Sequence, residues 1–551
     1  MNHKQAFLQA IREAPHDDAP RLIYADWLEE QGGAAPTARA NFIRIQCRLA
    51  ELPDDDPARD ALEDDAADLL AEYEGEWTQP LHGLVGDWRF SRGFVERITI
   101  GAEKWLTHAE SLFDFAPLRC LHFLIHARDV PHLAACEQLQ WIETLDFRGC
   151  HLNDRALQQL LTSPHLERLT ALNLSGNGIN TPGLRALVQS SLFARLRCLD
   201  LSRNIPIGDT AARLLARATP ASNLEVLNLG ENHLTIDGLV ELFRSTSLPH
   251  LTDFNASGIL SPLPRHHPHL SSQANFQLPA QLRRLDLGEL RCPVILPALL
   301  RSLSSANLRA LYLYNITASK RDVELLAKSP SLANLSLLDL HRNNLGAVGV
   351  ASLADSPHMA SLTHLNLSHN NIRDTGAKVL ASSAHLTRLR KLNLTGNGIG
   401  GPGLKALAES ANLDHLRTLS LSGNFIGADS VRALAESEHL RSLTWLDLSD
   451  AFLEEDSARA MVSSANLTRL RTLLLKKNLL GDGGVRALAR SPHLARLTTL
   501  DLNDNRIGKA GAEALAAAAW RRMRSLDLRG NVFTDTQEVL LRNRFGNAVQ
   551  L

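Results

Sequence analysis

From about residue 93 to the C-terminus, leucines and small apolar residues recur in a fixed order, and their period changes halfway through each unit. Over Gly376–Ala381 the apolar positions fall three to four apart, which predicts a helix. Leu386, Leu389, Leu392 and Leu394 then close the unit in strict alternation, which predicts a short strand. Each strand phrase, LxLxxN, ends in an asparagine slot: Asn177, Asn204, Asn232, Asn343, Asn370, Asn397, Asn424, Asn478, Asn505 and Asn531. From Asn343 to Asn424 the interval is 27 residues three times over, and Ala451, Asn478 and Asn505 continue it. Cys150, Ile259, Leu290 and Ile316 fill weaker slots, and residues 121–126 supply an earlier copy. Six residues past the slot stands glycine, as in Gly183, Gly376 and Gly403, and ten past it leucine. A strand needs roughly 4.8 Å beside its neighbour and a helix roughly 10 Å, so stacked strand–helix units bend, with strands inside. The predicted fold is an α/β horseshoe, a solenoid of strand–helix repeats.

The unit LxxLxLxxNxIxxxGxxxLA resembles leucine-rich repeats of the ribonuclease-inhibitor type, also seen in the Ran GTPase-activating protein. In that family the slot asparagine bonds the backbone of neighbouring turns. An amide donates and accepts at once, so it can satisfy a buried turn.

The first 90 residues lack the repeat. Phe7, Leu8 and Ile11 begin one helix, Arg21–Glu30 a second and Arg39–Gln46 a third. The phrases DDAPRLIYADWLEEQG and RANFIRIQ resemble the bacterial repeat-companion domain that precedes repeat arrays, which implies a helical fold and no particular activity. Tyr24, Trp27 and Phe42 are expected to pack its small core, with a peptide-binding groove as the sharper alternative. The expected division is a helical companion domain over 1–83, an N-terminal cap over 84–120, leucine-rich repeats over 121–531 and a C-terminal cap over 532–551. Caps are needed because an end repeat would otherwise expose its core.

Composition narrows the function. Fifty-eight Lys and Arg against sixty Asp and Glu leave a net charge of -2, which argues against a nucleic-acid binder. No apolar run approaches the roughly 18–20 residues of a membrane span, and the N-terminus carries no leader-like stretch. The six cysteines never form a CxxC pair and read as free thiols in a reducing cytoplasm. Charge is uneven, however: residues 51–76 hold twelve acidic residues and one basic, Arg59. Asp54-Asp55-Asp56-Pro57 reads as the start of a solvated helix, which could also dock on a basic surface.

Candidate chemistry mostly dissolves into the repeat. Gly396–Gly401 satisfies GxGxxG, but it follows a strand in register with every other unit and completes no dinucleotide fold. His165, His358, His385, His439 and His493 all stand twelve residues before a slot, where an imidazole is expected to cap the last helix carbonyls. His266, His267 and His269 lie in the one stretched, proline-rich repeat and invite a metal only adventitiously. No cofactor or metal site is expected.

The inner column of the strands reads Asp146, Asn173, Asp200, Asn228, Asn255, Asp286, Tyr312, Asp339, Asn366, Asn393, Ser420, Asp447, Leu474, Asp501 and Asp527. Repeat consensus accounts for this polar floor, with an acidic track for a basic partner as the alternative. Its departures carry more information: Tyr312, Tyr314, His341 and Trp445 are large and face inward, and such aromatics anchor interfaces. The expected activity is a non-catalytic protein-interaction scaffold in the cytoplasm. Its partner, a protein rather than nucleic acid or membrane, would sit on the concave face at a patch of the first three rings flanked by Asp286 and Asp339, with Trp445 further along. The alternatives are a GTPase activator, because the same repeat type builds the Ran activator, or a proteinaceous enzyme inhibitor.

Overall fold

The computed structural model describes residues 3–53, 56, 58–204, 207–219, 222–258, 278–290, 299 and 307–551. The Ile259 slot, the histidine-bearing run through His266, His267 and His269, Cys292, and Asp54, Asp55 and Pro57 lie outside those residues. The chain forms two compact units, Met1–Ile259 and Leu260–Leu551.

The first unit opens with the helices His3–Glu13, Ala19–Glu30, Ala34–Glu51 and Arg59–Trp77. Leu8, Ile11, Tyr24, Ala25, Ala40, Ile43 and Cys47 bury their apolar faces together, with Trp27 packed against the cluster. Phe94 joins the same core, and it belongs to the strand Phe94–Gly101. That strand pairs antiparallel with Asp87–Ser91 and parallel with Cys120–Leu124, so one edge serves the helices and the other starts the repeats. Parallel pairing then continues strand by strand through Asp253–Asn255.

Charge ties the helices to the strands. Arg21, with a fully buried side chain, donates from Nη2 to Glu96 Oε1 at 2.5 Å. Arg119 donates to Glu96 Oε2 at 3.2 Å and to Glu143 Oε2 at 2.5 Å, while Arg168 donates to the Arg12 carbonyl at 2.8 Å.

The second unit repeats strand and helix in parallel from Arg284–Asp286 through Ala310–Tyr312 to Ser525–Asp527, and Val549–Gln550 adds the last strand. The helix Asp535–Phe545 precedes that strand. A typical unit buries Ala377 and Leu380 of its helix and Leu392 and Leu394 of its strand.

Three ladders of side chains lock the units. Asn370, with no exposed surface, donates to the carbonyls of Leu340 at 2.9 Å and Leu367 at 3.0 Å. Its Oδ1 accepts from the amides of Asn343 at 3.0 Å and Leu345 at 3.2 Å. The same pattern recurs at Asn397, Asn424 and Asn478, so the slot residues are structural.

The second ladder corrects the expected role of histidine. The helix-end carbonyls accept from serine, two residues before each histidine position, and each serine caps the helix of the preceding unit. Ser356 Oγ donates to the Ala327 carbonyl at 2.5 Å, Ser383 to Ala354 at 2.6 Å and Ser410 to Ala381 at 2.6 Å. The hydroxyl reaches the carbonyl and still accepts the backbone amide of His358 at 3.2 Å, a double use the imidazole does not make there.

The third ladder explains the recurring glycine. Asp374 Oδ1 accepts the amides of Gly400 and Gly403 at 2.7 and 3.0 Å. A Cβ on Gly403 would lie 2.6 Å from that oxygen and 2.7 Å from Ile399 Cγ2. Asp482 holds Gly508 and Gly511 in the same way.

Candidate functional site

From Arg284–Asp286 to Ser525–Asp527 the last residue of each strand stands between two buried leucines, and parallel register aligns those residues into columns. Tyr312 pairs with Asp339, Asp339 with Asn366, Asn366 with Asn393, Asn393 with Ser420 and Ser420 with Asp447. The neighbouring column runs Ala310, Leu337, His364, Lys391, Thr418 and Trp445.

Most of the polar floor holds its own turns. One oxygen of Asp339 accepts from the amide of His341 at 3.0 Å, Asp447 accepts from Ser449 at 2.9 Å and Asp501 from Asn503 at 2.9 Å. An acceptor oxygen two residues ahead of an amide suits aspartate and asparagine equally, which is why the two alternate along the column. Asn366 then donates sideways to Asp339 Oδ2 at 2.9 Å.

The six candidate residues fall into two groups. Tyr312, Asp339 and Trp445 line one cavity of about 440 Å³ that crosses the strand face, with Tyr312 and Trp445 five strands apart. Between them lie His364, Lys391, Thr418, Ser420 and Asp447. Tyr314, His341 and Asp286 do not line this cavity. Tyr314 and His341 stack with centroids 4.5 Å apart and planes 8° from parallel, and His341 Nδ1 lies 2.8 Å from Asp339 Oδ1. The Tyr314 ring occupies the space where a Cβ on Gly288 would project. Of the three-ring patch expected from the sequence, Tyr314 and His341 are in ring contact, while Tyr312 packs under the guanidinium of Arg284 at 4.7 Å and lines the cavity.

Asp286 is buried at 8% exposure rather than flanking the rings in the open. Burial pushes its carboxyl up to about 6, against the opposing pull of the Gly288 amide and of Arg284; Asp339 adds to the rise. Because folding raises this pKa above its unfolded value of about 4, the native state holds more protons than the unfolded state between about pH 4 and 6. Stability from this group is present below pH 4 and lost as pH rises through 6. Asp286→Asn keeps an oxygen for the Gly288 amide and is expected to stabilise the protein at pH 7.5 by about 1–3 kcal/mol while changing little at pH 4. Urea unfolding at the two pH values checks this, and equal shifts at both would refute it.

His364, Lys391 and Arg284 were not singled out by the sequence, although His364 and Lys391 occupy the edge column one position ahead of the inner leucine. That column is occupied by Thr in Thr418, Thr472 and Thr499, and departure from threonine is the signal that could have found them. Among the described residues, no three His, Cys, Asp or Glu side chains gather as a metal ion would require. The described cysteines Cys47, Cys120, Cys136, Cys150 and Cys198 are free thiols.

Five stretches, residues 165–188, 358–381, 385–408, 413–435 and 493–516, match the family model described as a leucine-rich repeat. No curated protein matches the sequence. Among solved structures, the chain is similar to an internalin (inlF) from Listeria monocytogenes, at 18% identity over 77% of this chain and 94% of that one, with a TM-score of 0.31. It is also similar to the Rad7 and Elc1 complex in yeast, at 15% identity over 77% of this chain and 90% of that one, with a TM-score of 0.39. The ladders above repeat the same unit beyond the five matched stretches, and the repeats of this chain are leucine-rich repeats.

Proposed function

We propose that this protein is a non-catalytic interaction scaffold whose second unit binds a protein partner along its strand face, in the cavity between Tyr312 and Trp445. The observation that carries this reading is the cavity itself: two half-buried aromatics stand at its ends, with a polar floor between them. Aromatic side chains supply large contact area at low conformational cost and dominate interface energetics when a pocket shields them from water. The floor offers both charges, Asp339 and Asp447 beside Lys391, so an inserted segment can bond along it in a fixed register. On this reading Tyr314, His341 and Asp286 form a flanking contact, reached by a partner that extends past Tyr312.

The same reading gives residues 1–83 to a helical companion module, 84–120 to the N-terminal cap of the solenoid, 121–531 to the repeats and 532–551 to the closing cap. It places the protein in a bacterial cytoplasm, off membranes and nucleic acid. Balanced charge and free thiols support that placement. No helix among the described residues is long and apolar enough to cross a membrane.

Affinity capture from native cell extract, read by mass spectrometry, identifies the partner. The double variant Tyr312→Ala with Trp445→Ala is then expected to weaken capture by at least about tenfold, with thermal unfolding nearly unchanged. Asp501→Ala, outside the cavity, should change it far less. A double variant that binds like the parent protein would refute this site.

A further inference from the structure

The helical module contains a second cavity, of about 340 Å³, which the strand-face reading does not use. Its walls include Lys4, Tyr24, Arg39, Trp77, Phe94 and Phe115. Arg39 belongs to the RANFIRIQ phrase and projects from the helix Ala34–Glu51 into a box of rings. Its guanidinium carbon lies 4.7 Å from the centroid of Trp77, 5.3 Å from Phe90, 5.6 Å from Phe94 and 5.7 Å from Phe42. Nη1 is buried with no hydrogen-bond partner, and among the described residues no carboxylate pairs with this side chain.

A second cation faces the same space. Lys4 lies over the Phe115 ring at 5.5 Å and lines the cavity with Arg39. Burial lowers the pKa of both side chains, and repulsion from Arg39 lowers that of Lys4 further. The acid on the lining is Glu76, which is exposed. The Arg39 guanidinium, with Nη1 enclosed and unbonded, opposes folding, and the rings offset only part of that cost. Folded proteins ordinarily place a counter-charge beside such a group.

We propose that this cavity is a binding site for a small organic anion: a carboxylate carried on a flat apolar body. The carboxylate would lie between Arg39 and Lys4, accepting from the guanidinium fork. The body would stack against Tyr24, Trp77 and Phe94. The cavity has the size at which apolar pockets with a few convergent polar groups hold small ligands. Nothing in this proposal depends on the strand-face site, and either can fail alone.

The probe is 1-naphthoate, added to the full chain and followed by titration calorimetry and by the indole NMR signals. Saturable binding is expected, with the Trp77 indole among the shifted signals. 1-Naphthylmethylamine, the same body with a cation, should not bind, and inorganic phosphate, an anion without a body, should bind far more weakly. Arg39→Met keeps the stem among the rings and is expected to weaken naphthoate binding at least about tenfold while leaving the unliganded protein no less stable. That stability readout separates a binding arginine from one kept only for its ring contacts, whose loss would destabilise the module. Lys4→Met should weaken binding severalfold and decides the question if Arg39→Met fails to fold. Equal binding of the acid and the amine, no binding of the acid at 10 mM (about the weakest affinity of interest), or undiminished binding to the variants would overturn the proposal.

Discussion

Glu96→Gln is expected to destabilise the first unit by about 3–5 kcal/mol, one of the two largest single-site effects we expect in this chain. The carboxylate is 4% exposed and bonds two arginines at once, Arg21 at 2.5 Å and Arg119 at 3.2 Å. Arg119 keeps Glu143 when Glu96 is neutralised. Arg21 does not fare as well: its side chain is fully buried, its other bond goes to the Asp17 carbonyl at 2.8 Å, and its next carboxylate, Asp18, is 4.0 Å away. A guanidinium held in the interior without its counter-ion costs far more than the bond itself contributes. The loss should therefore be largely relieved in the double variant Arg21→Met with Glu96→Gln, which removes the stranded charge. Urea unfolding of the four proteins measures the coupling. Additive losses in that cycle would show that Arg21 and Glu96 act independently and would overturn this account.

This cluster also marks where the sequence stops being readable. Arg21 and Glu96 are 75 positions apart, and Arg21 lies on a helix outside the repeats, so no period links the pair. The repeat was legible for the opposite reason. A strand and helix of about 27 residues cannot bury both faces alone, so selection for stacking leaves the same leucines and asparagines in every copy. Relations that cross from one unit to the next were harder to see. The recurring glycine was plain in the sequence, but its cause, Asp374 over Gly403, lies 29 residues upstream in the neighbouring unit. The serine caps were hidden likewise, because Ser383 serves Ala354 of the helix before it, and the adjacent histidines drew attention instead. At the strand face, departures from consensus drew attention to Tyr312 and Trp445, whereas the contact of Tyr312 with Arg284 depends on side-chain direction, which sequence spacing does not give.

Asn370→Ala should cost about 3 kcal/mol, and Ala451→Asn should return about 1–2 kcal/mol of the same kind. The two carbonyls that Asn370 serves, those of Leu340 and Leu367, each keep a second donor, Asn343 and Asn397. The amides of Asn343 and Leu345 do not, since the Asn370 oxygen is their acceptor. Two buried amides without acceptors set the size of the loss. The chain already contains such a defect at residue 451. Ala451 fills a slot, with no exposed surface, and donates its own amide to Asn478 at 3.1 Å, so the turn is formed. By the register of the ladder, an asparagine there would accept from the amides of Asn424 and Ile426. Those amides have no acceptor among the described residues, whereas their counterparts Asn397 and Ile399 bond Asn424 at 3.1 and 2.9 Å. Ala451→Asn is therefore expected to raise the urea midpoint and to slow hydrogen exchange at Asn424 and Ile426, with distant repeats unaffected because each unit contacts only its neighbours. A lowered midpoint, or exchange at those two amides unchanged, would mean that the turn at 451 has closed around alanine and that the asparagine ladder is not what holds these repeats in register.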